Sequence, residues 1–520
     1  MTDETSRVST SPRKRLILWS VLVALVAGCA ALGGVGLSRL SASDSQVTPV
    51  TASERAKRVQ TVTVTPTPGV PTTPGVPTTP GPPTIPSGPP GCGLPAAAFC
   101  DDFEGPPNTT GNRNGDLSTA NYSLARWKSQ LDQEPNHVDP GSIPACRAGA
   151  SSTPLPPGDS LICDPSSAIG SHYALVSTSE QNYGDNSYRL SQQFDIAGRT
   201  GTIRFDVDLH PDTGLPGWAT LGFTSDPYNA PSYLADNGAG PTPREGVQIH
   251  FSASCPSPAG QAAFPKVRTY SHNTETLVPD ENGLGGWCQD GVQTQADHLN
   301  RVEVHVSQSY IEIYASDPSS DGVNFGPLKK MYSAPIALSF SRGYLYFGVH
   351  NHASEKYAGT ASVNVQWDNI SFDGPKLPAD RVSQVDTAAQ PNGGGMNLGW
   401  WLPDSATGGA TAPLTLPNVS EAGATTARLV WDMAADEISN GSSTWSSWRV
   451  NYRLNGGPWH SAALSADELA LMPQRGSSFI FSVPIDLSEI ADGNNTVQFS
   501  GTNFFAGYQP YIGNIDLVLS

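Results

Sequence analysis

The sequence contains little charge and few long helical patterns. Charged residues make up 15% of its 520 residues, and no run beyond residue 40 keeps the apolar period of an amphipathic helix. Short alternating apolar runs, broken by 52 glycines and 46 prolines, take their place. This pattern predicts an all-β fold of sandwiches or barrels. The length predicts two or three domains.

Basic residues are scarce and zinc-binding spacings are missing. The chain has 29 Lys and Arg against 47 Asp and Glu, which gives a net charge of −18. Such a surface repels phosphate backbones, so a nucleic-acid partner is not expected. It remains compatible with a cation site or with a neutral or basic ligand. No CxxC or HxxxH spacing indicates a zinc site.

Six of the seven cysteines follow an apolar N-terminal segment that contains the seventh, Cys29. An even set beyond such a segment indicates disulfide bonds in an oxidising compartment. Six cysteines allow fifteen pairings. Their order in the chain suggests Cys92–Cys100, Cys146–Cys163 and Cys255–Cys288.

The single long apolar run covers residues 16–37 and carries no charge over 22 residues. This is enough to span a bilayer as a helix. Three basic residues directly precede it, so we expect residues 1–15 to be a cytoplasmic tail and the rest to be extracellular. The sequence therefore predicts a single-pass protein of the cell membrane.

Two alternatives to this anchor stay open. Residues 25–29 resemble the bacterial lipoprotein processing box, in which the chain is cut before the cysteine, here Cys29, and the cysteine is lipidated. A cleaved signal peptide is the other alternative. The apolar run continues beyond Cys29, which favours the uncleaved helix.

Residues 38–91 are rich in threonine and proline and repeat a PGVPTT unit. Proline removes backbone donors and fixes φ, so this segment is expected to be a disordered, extended stalk. It would hold the following domains away from the membrane.

Alternating runs predict a first sandwich over residues 92–375. The expected strands are Thr202–His210, Trp218–Phe223, Gly246–Ser252, Lys266–His272, Asn300–Ser307, Tyr310–Ala315, Tyr344–His352 and Val363–Gly374. Their polar sides contain planar hydrogen-bonding groups and aromatic rings, as sugar recognition requires. The candidate ligand-binding residues there are Arg204, Asp206, Gln248, His250, Arg268, Tyr270, Tyr346 and His350. The alternative is that these strands are simply solvated on one side.

The opening FCDDFEG (99–105), the hairpin at 300–315 and the closing VQWDNISFDGP (365–375) resemble the concanavalin A-like lectin/glucanase superfamily. The resemblance covers about 280 residues and implies a two-sheet sandwich. That fold hosts lectins, glycosidases, lyases and adhesion modules, so it does not decide the activity.

Two enzyme families of this fold can be compared with the sequence. The glucanase pattern Glu-x-Asp-x-x-Glu is absent. Alginate-lyase-like members carry a Gln-Ile-His strand, which resembles Gln248-Ile249-His250, and a later strand that resembles residues 346–352. That resemblance implies a catalytic set of Gln248, His250, Tyr346 and His350. Here His350 replaces the family's tyrosine, and the family's lysine and arginine-rich strand are missing.

Acidic residues at the two ends of this domain could meet if its terminal strands pair. Asp102, Glu104 and Asp368 would then supply oxygen ligands for a structural calcium ion.

The alternating pattern starts again after a linker at 376–385 and predicts a smaller sandwich over residues 386–520. In general pattern it resembles the carbohydrate-binding jelly rolls appended to secreted bacterial enzymes. Trp431 and Trp448 lie within expected strands and are expected in the core, whereas Trp400 and Trp401 lie in a turn-rich stretch and could stack on sugar rings. The alternative for this pair is also a core position.

The sequence as a whole therefore predicts a membrane-anchored, extracellular, lectin-like protein of a bacterial cell surface, whose partners are glycans or cell-wall polysaccharide. The first alternative is a polysaccharide-degrading enzyme of the same fold, most plausibly a lyase acting on uronate polymers, with a glycoside hydrolase as the other enzyme class. The second alternative is a protein-binding adhesin.

Overall fold

The computed structural model describes most of two β-sandwiches. The described residues are 92–103, 121–127, 160–163, 174–180, 185–208, 217–227, 243–251, 265–272, 274–281, 298–320, 322–351, 362–385, 400–434, 447–466, 478–503 and 511–520. The expected all-β architecture is confirmed over these residues. Short 3-10 turns lie at Ser405–Thr407 and Leu487–Glu489.

Two antiparallel sheets form the N-terminal sandwich, and we call them the outer sheet and the inner sheet. The outer sheet contains, in spatial order, β14 (Lys329–Pro335), β13 (Tyr310–Ala315), β12 (Asn300–Val306), β7 (Gly201–Asp208), β16 (Ser362–Asp373), β4 (Ala174–Glu180) and β3 (Ser160–Cys163), with β1 (Ala97–Asp101) also paired to β16. The inner sheet contains β11 (Thr274–Val278), β10 (Lys266–Ser271), β9 (Glu245–Phe251), β8 (Gly217–Thr224), β15 (Arg342–Asn351), β5 (Asp185–Leu190) and β2 (Tyr122–Trp127), with β6 (Phe194–Asp195) also paired to β15.

The C-terminal sandwich is smaller and is built in the same way. One sheet contains β17 (Arg381–Gln384), β25 (Tyr511–Leu519), β20 (Ala427–Ala434) and β23 (Ser478–Ile485), with β18 (Trp400–Trp401) paired to β25. The other contains β19 (Leu414–Val419), β24 (Gly493–Thr502), β21 (Arg449–Leu454) and β22 (His460–Ala462).

Alternation along the strands gives each sandwich an aromatic core. In the N-terminal sandwich, Phe205 and Trp367 of the outer sheet pack against Phe251 and Phe347 of the inner sheet, with ring centroids 5.3–5.7 Å apart. In the C-terminal sandwich, the Trp431 ring stacks on Phe481 at 4.9 Å. Trp431 and Trp448 are both buried, as expected, although Trp448 directly precedes β21 and does not lie within a strand.

Several sequence predictions can be compared directly with this architecture. The disulfide Cys92–Cys100 is present, while at least one cysteine of each other expected pair lies outside the described residues. Strand β1 pairs with β16, so the terminal strands of the first sandwich do meet. The expected linker, 376–385, instead contains β17, which pairs with β25 and is an edge strand of the C-terminal sandwich.

The predictions for the N-terminal region concern residues that the structure does not describe. The expected membrane helix (16–37), Cys29 and the stalk (38–91) lie outside the described residues. Within the described part of the chain, no helix has both the length and the apolar character needed to cross a bilayer.

Candidate functional site

The inner sheet has one apolar face and one polar face. Val267, Ile249, Leu221 and Phe347 occupy opposed positions on the apolar face and belong to the core. One residue along each strand, the side chains point to the opposite face. Five of the candidate ligand-binding residues lie on that face, and we call them the polar cluster: Gln248, His250, Arg268, Tyr270 and Tyr346.

The strand register places much of the polar cluster in one row across the sheet. Tyr346 lies opposite Gly222, Gly222 opposite Gln248, and Gln248 opposite Arg268. The row continues to Leu277 on the edge strand β11. Neighbouring strands are about 4.8 Å apart, so the four strand steps from Tyr346 to Leu277 cover roughly 19 Å.

Hydrogen bonds join the polar cluster into a network. Tyr270 Oη donates to Gln248 Oε1 at 2.6 Å, and Arg268 Nη1 lies 2.6 Å from His250 Nδ1. Arg268 Nε donates to Glu275 Oε1 of β11 at 2.9 Å. The members of the polar cluster are at most 7% exposed, and a buried polar network of this kind fixes the positions of its side chains.

The network also fixes the protonation of the histidine ring. Arginine can only donate, so His250 Nδ1 accepts the bond from Arg268. The ring proton then resides on Nε2, which lies 3.4 Å from Gln248 Oε1. In this arrangement neither nitrogen of His250 offers a lone pair that could remove a proton from a substrate. The geometry therefore suits binding better than proton abstraction.

Three buried hydroxyl groups on the same face make no hydrogen bond to the described residues. They belong to Ser187, Thr220 and Tyr346. The Gln248 side chain lies near the Tyr346 hydroxyl and lowers its pKa against the larger effect of burial. In the row next to that of Tyr346, Ser187 and Thr220 are both paired to Gly348, which contributes no side chain between them. A buried hydroxyl without a partner destabilises a fold by about 1–3 kcal/mol, so three on one face need an explanation.

Tyr346 occupies the centre of this face because glycine lies opposite it. A Cβ atom on Gly222 would lie 1.9 Å from the Tyr346 ring, so the ring lies directly over the glycine. Burial raises the pKa of Tyr346 well above its ordinary value. Its hydroxyl therefore stays protonated and can act as a donor.

The polar face is closed at one edge by the C-terminal sandwich. Beyond Tyr346 the row continues to Arg189 of β5 and Ser123 of β2. Asp516 of β25 accepts a hydrogen bond from Ser123 Oγ at 2.5 Å and lies 3.5 Å from Arg189 Nη2. At the opposite edge Leu277 is 53% exposed. The row therefore ends in an exposed side chain at β11 and in a contact with the C-terminal sandwich at β2.

The linker residue Asp380 adds to this closed edge. Its carboxylate accepts a hydrogen bond from Tyr344 Oη at 2.6 Å, and its backbone N–H donates to Ser191 O. Burial, and then the charge of Asp380, raise the pKa of Tyr344 above its ordinary value.

Two other candidate ligand-binding residues lie elsewhere. Arg204 and Asp206 are on β7 of the outer sheet, so they do not join the polar cluster. Asp206 accepts two hydrogen bonds from Arg301, at 2.8 and 2.9 Å, and Arg204 is paired with Glu303. Arg301 thus satisfies the Asp206 carboxylate, whereas Nε of Arg204 is buried without a hydrogen-bond partner among the described residues. The sequence assigned each of these residues to the polar side of its own strand, but alternation does not reveal which strands share a sheet.

The ion pairs on this outer sheet affect the acidity of Glu303. Burial alone would raise the pKa of this carboxyl, but hydrogen bonds from His305 and Arg204 outweigh it and lower the pKa below its ordinary value.

The remaining candidates also separate. His350 is paired with Trp218, which puts its backbone position on the polar face, but its side chain lies outside the described residues. Trp400 and Trp401 are on β18 of the C-terminal sandwich, where Trp400 packs on the core and Trp401 is partly exposed. They therefore belong to a different surface.

The calcium site stays a prediction. Glu104 lies outside the described residues. Asp368 Oδ2 accepts a hydrogen bond from its neighbour Asn369 at 3.0 Å. Across the described ranges, no group of three or more His, Cys, Asp or Glu side chains is arranged to hold a metal ion.

Sequence reasoning missed Ser187, Thr220, Arg189 and Glu275. Thr220 had a signal, because it alternates with the apolar residues of β8 and therefore shares a face with Gly222. Strands β5 and β11 were not recognised, so their polar residues could not be placed.

Comparisons with known proteins give low similarity. No protein-family model matches the chain, and no curated protein matches it. Among solved structures, the carbohydrate-binding module CBM66 from Bacillus subtilis is 11% identical, with 38% of this chain and 86% of that chain covered and a TM-score of 0.23. The exoplasmic/lumenal domain of VIP36, bound to Ca²⁺ and mannose, is 11% identical, with 45% and 90% covered and a TM-score of 0.27.

Peanut lectin is also 11% identical, with 48% of this chain and 96% of that chain covered and a TM-score of 0.27. One of these structures is a lectin and another is a carbohydrate-binding module. At such identities and TM-scores, these likenesses assign neither a family nor a ligand to this chain.

Proposed function

We propose that this chain is a lectin-like protein that binds glycans on the polar face of its N-terminal sandwich. The observation that carries the proposal is the set of three buried hydroxyls, Ser187, Thr220 and Tyr346, which have no hydrogen-bond partner among the described residues. Sugars present hydroxyl groups that both donate and accept, so a bound glycan would satisfy all three. The polar cluster beside them supplies fixed amide, imidazole and guanidinium groups.

The shape of the face narrows the class of ligand. The polar cluster is buried, and its row ends at the exposed Leu277 on one side and at the Arg189–Asp516 pair on the other. Tyr346 is 0% exposed, so a ligand reaches it only after the side chains that cover the row have moved, and the contact with Asp516 closes the β2 end. This arrangement favours a glycan end or a short oligosaccharide over the interior of a polymer. The architecture agrees with the resemblance to concanavalin A-like lectins, which this proposal retains.

The location belongs to the same proposal. The uncharged segment at 16–37, its basic flank and the proline-rich stalk support a membrane-anchored protein with its sandwiches outside the cell. A lipidated Cys29 would give the same orientation.

A uronate lyase is the second candidate, and one observation favours it. Arg268 lies beside Gln248 and His250, so the face does contain an arginine that could neutralise a carboxylate. Against it, Arg268 and Gln248 occupy both nitrogens of His250. Catalysis would require the histidine to exchange its partners when a substrate binds.

The full chain, purified in detergent, can test both candidates on an array of glycans and polysaccharides. Ultraviolet absorbance, followed in parallel, would detect the unsaturated ends that a lyase forms. We expect binding without new absorbance. Tyr346→Phe should weaken binding about three- to tenfold, because one hydrogen bond contributes roughly 0.5–1.5 kcal/mol.

Tyr314→Phe is the matched control, because it removes a hydroxyl from the outer sheet, where Tyr314 is bonded to Glu312. It should leave binding unchanged. No binding to any short glycan, or equal affinity of the Tyr346→Phe variant and the wild type for short glycans, would contradict the lectin assignment. Absorbance that rises on a uronate polymer and disappears in His250→Ala would replace it with the lyase.

A further inference from the structure

The second sheet of the C-terminal sandwich has a polar outer face that lies outside the site described above. On β21, the buried residues Val450, Tyr452 and Leu454 alternate with Arg449, Asn451 and Arg453, which are half-buried. The partner strand β24 adds the side chains of Gln498, Ser500 and Thr502 to this outer face. Hydroxyl, amide and guanidinium groups therefore cover the face.

A tryptophan lies exposed at the edge of this face. Trp459 directly precedes β22 and is 43% exposed, although a ring of this size is usually covered in a folded protein. The guanidinium carbon of Arg453 lies 4.6 Å from the ring centroid. Gln498 Oε1 accepts a hydrogen bond from Arg453 Nε at 3.0 Å, which holds the guanidinium in place. The ring therefore has a fixed neighbour and a large solvent-facing area.

The polar side chains between the two arginines are also held in place. Asn451 Nδ2 donates to Thr502 Oγ1 at 2.7 Å, and Asn451 Oδ1 accepts from Ser461 Oγ at 2.9 Å. These contacts prearrange the amide and hydroxyl groups, which reduces the conformational entropy lost when a ligand binds.

This face carries positive charge, whereas the chain as a whole is acidic. The whole chain carries a net charge of −18. The four strands of this sheet are described throughout, and their outer positions carry Arg449 and Arg453 but no acidic residue. The two arginines are four residues apart on one strand, so their Cα atoms are roughly 14 Å apart. The face is therefore a local cationic strip on an acidic protein.

We propose that Trp459, Arg453, Arg449, Asn451 and Gln498, the tryptophan platform, form a second glycan-binding site that takes carboxylate-bearing polysaccharides. A sugar ring stacks on the exposed indole, and the guanidinium groups pair with carboxylates, for which their planar geometry is suited. The amides of Asn451 and Gln498, which Thr502, Ser461 and Arg453 hold in place, line the strip between the arginines. The strip is open along the sheet, so it accepts the interior of a polymer. This second site does not depend on glycan binding at the polar cluster.

The test uses the full chain in detergent and three carboxylated probes: polygalacturonate, alginate and hyaluronate. Highly methyl-esterified pectin is the matched uncharged probe, because it keeps the polygalacturonate backbone and masks its carboxylates. We expect binding to at least one carboxylated probe, and binding to polygalacturonate that exceeds binding to the ester if that probe is the one bound. Trp459→Ala should weaken binding at least tenfold, as loss of a central aromatic contact does.

Two further variants separate charge from stacking. Arg453→Gln should weaken binding several-fold and flatten its dependence on ionic strength, because it removes a charge but keeps a polar side chain. Trp459→Phe keeps an aromatic face and should retain most of the affinity. Val323→Ala removes another exposed apolar side chain, on the N-terminal sandwich, and should have no effect.

The outcomes distinguish this site from the polar cluster. If the platform is right, Trp459→Ala weakens polymer binding whereas Tyr346→Phe does not. Failure to bind any of the three carboxylated probes, equal binding of pectin ester and polygalacturonate, or an unchanged affinity in Trp459→Ala would each overturn the platform. None of these results would test the separate proposal that short glycans bind at Tyr346.

Discussion

Replacing Asp516 by alanine should lower the free energy of unfolding by about 3 kcal/mol. Asp516 and Arg189 are both 0% exposed, and they join β25 of the C-terminal sandwich to β5 of the N-terminal one. The same carboxylate accepts hydrogen bonds from Ser123 and from Gln384. Removing one member of a buried ion pair costs about 3–5 kcal/mol, because the other charge stays buried with less compensation.

Urea unfolding of the full chain, followed by tryptophan fluorescence, measures this change as a lower midpoint. The double variant Asp516→Ala/Arg189→Met should recover much of the loss, since it leaves no buried guanidinium. Asp226→Ala is the matched control, because Asp226 also bridges the sandwiches, 3.6 Å from Arg428, but in a partly exposed pair. It should cost at most about 1 kcal/mol.

Two results would refute the reasoning about Asp516. One is a loss below about 1 kcal/mol in the single variant, which would mean that the carboxylate does not compensate the buried charge. The other is a double variant no more stable than the single one. Either result would mean that the apolar residues around the ion pair, and not the ion pair itself, stabilise this contact.

Three other substitutions give separate tests. Gly222→Ala should lower stability by about 1–3 kcal/mol and weaken glycan binding, because the new Cβ displaces the Tyr346 ring; an unchanged midpoint would contradict this packing. Glu303 has a lowered pKa, so its ionised form stabilises the fold above the ordinary value of 4.5 and loses this effect as the pH falls through the lower folded value. Glu303→Gln should therefore destabilise the protein more at about pH 7 than at about pH 3, and equal loss at both would rule out the charge as the cause. Replacing Cys92 and Cys100 by serine should cost about 2–3 kcal/mol through the loop that the bond closes, and equal urea midpoints would argue against that bond.

The sequence predicted the strands well because their alternation is strong. Strand β13 (Tyr310–Ala315) has the bounds that were expected, and β9 and β15 differ from their expected bounds by one or two residues. Alternation also placed Gln248 and His250 on one side of β9 and Tyr346 on the matching side of β15. It did so because a strand exposes a different set of side chains on each face, whatever its neighbours are.

Sheet membership could not be predicted in the same way. Arg204 and Gln248 have equivalent positions in their strands, but β7 and β9 lie in different sheets, so the two side chains are on opposite sides of the sandwich. Which strand pairs with which depends on contacts between residues far apart in the chain. A single sequence contains no direct record of those contacts.

The contact between Asp516 and Arg189, at the closed edge of the polar face, could not be predicted from either residue alone. Residues 512–519 are buried on both faces of β25, so Asp516 is an acidic residue in a strand with no solvated side. Such a carboxylate requires hydrogen-bond donors or a cation. Arg189, buried in β5, poses the complementary requirement. Each residue alone looks like the polar member of an ordinary alternating strand, and only their contact explains why both are tolerated. That contact fixes where the C-terminal sandwich meets the polar face.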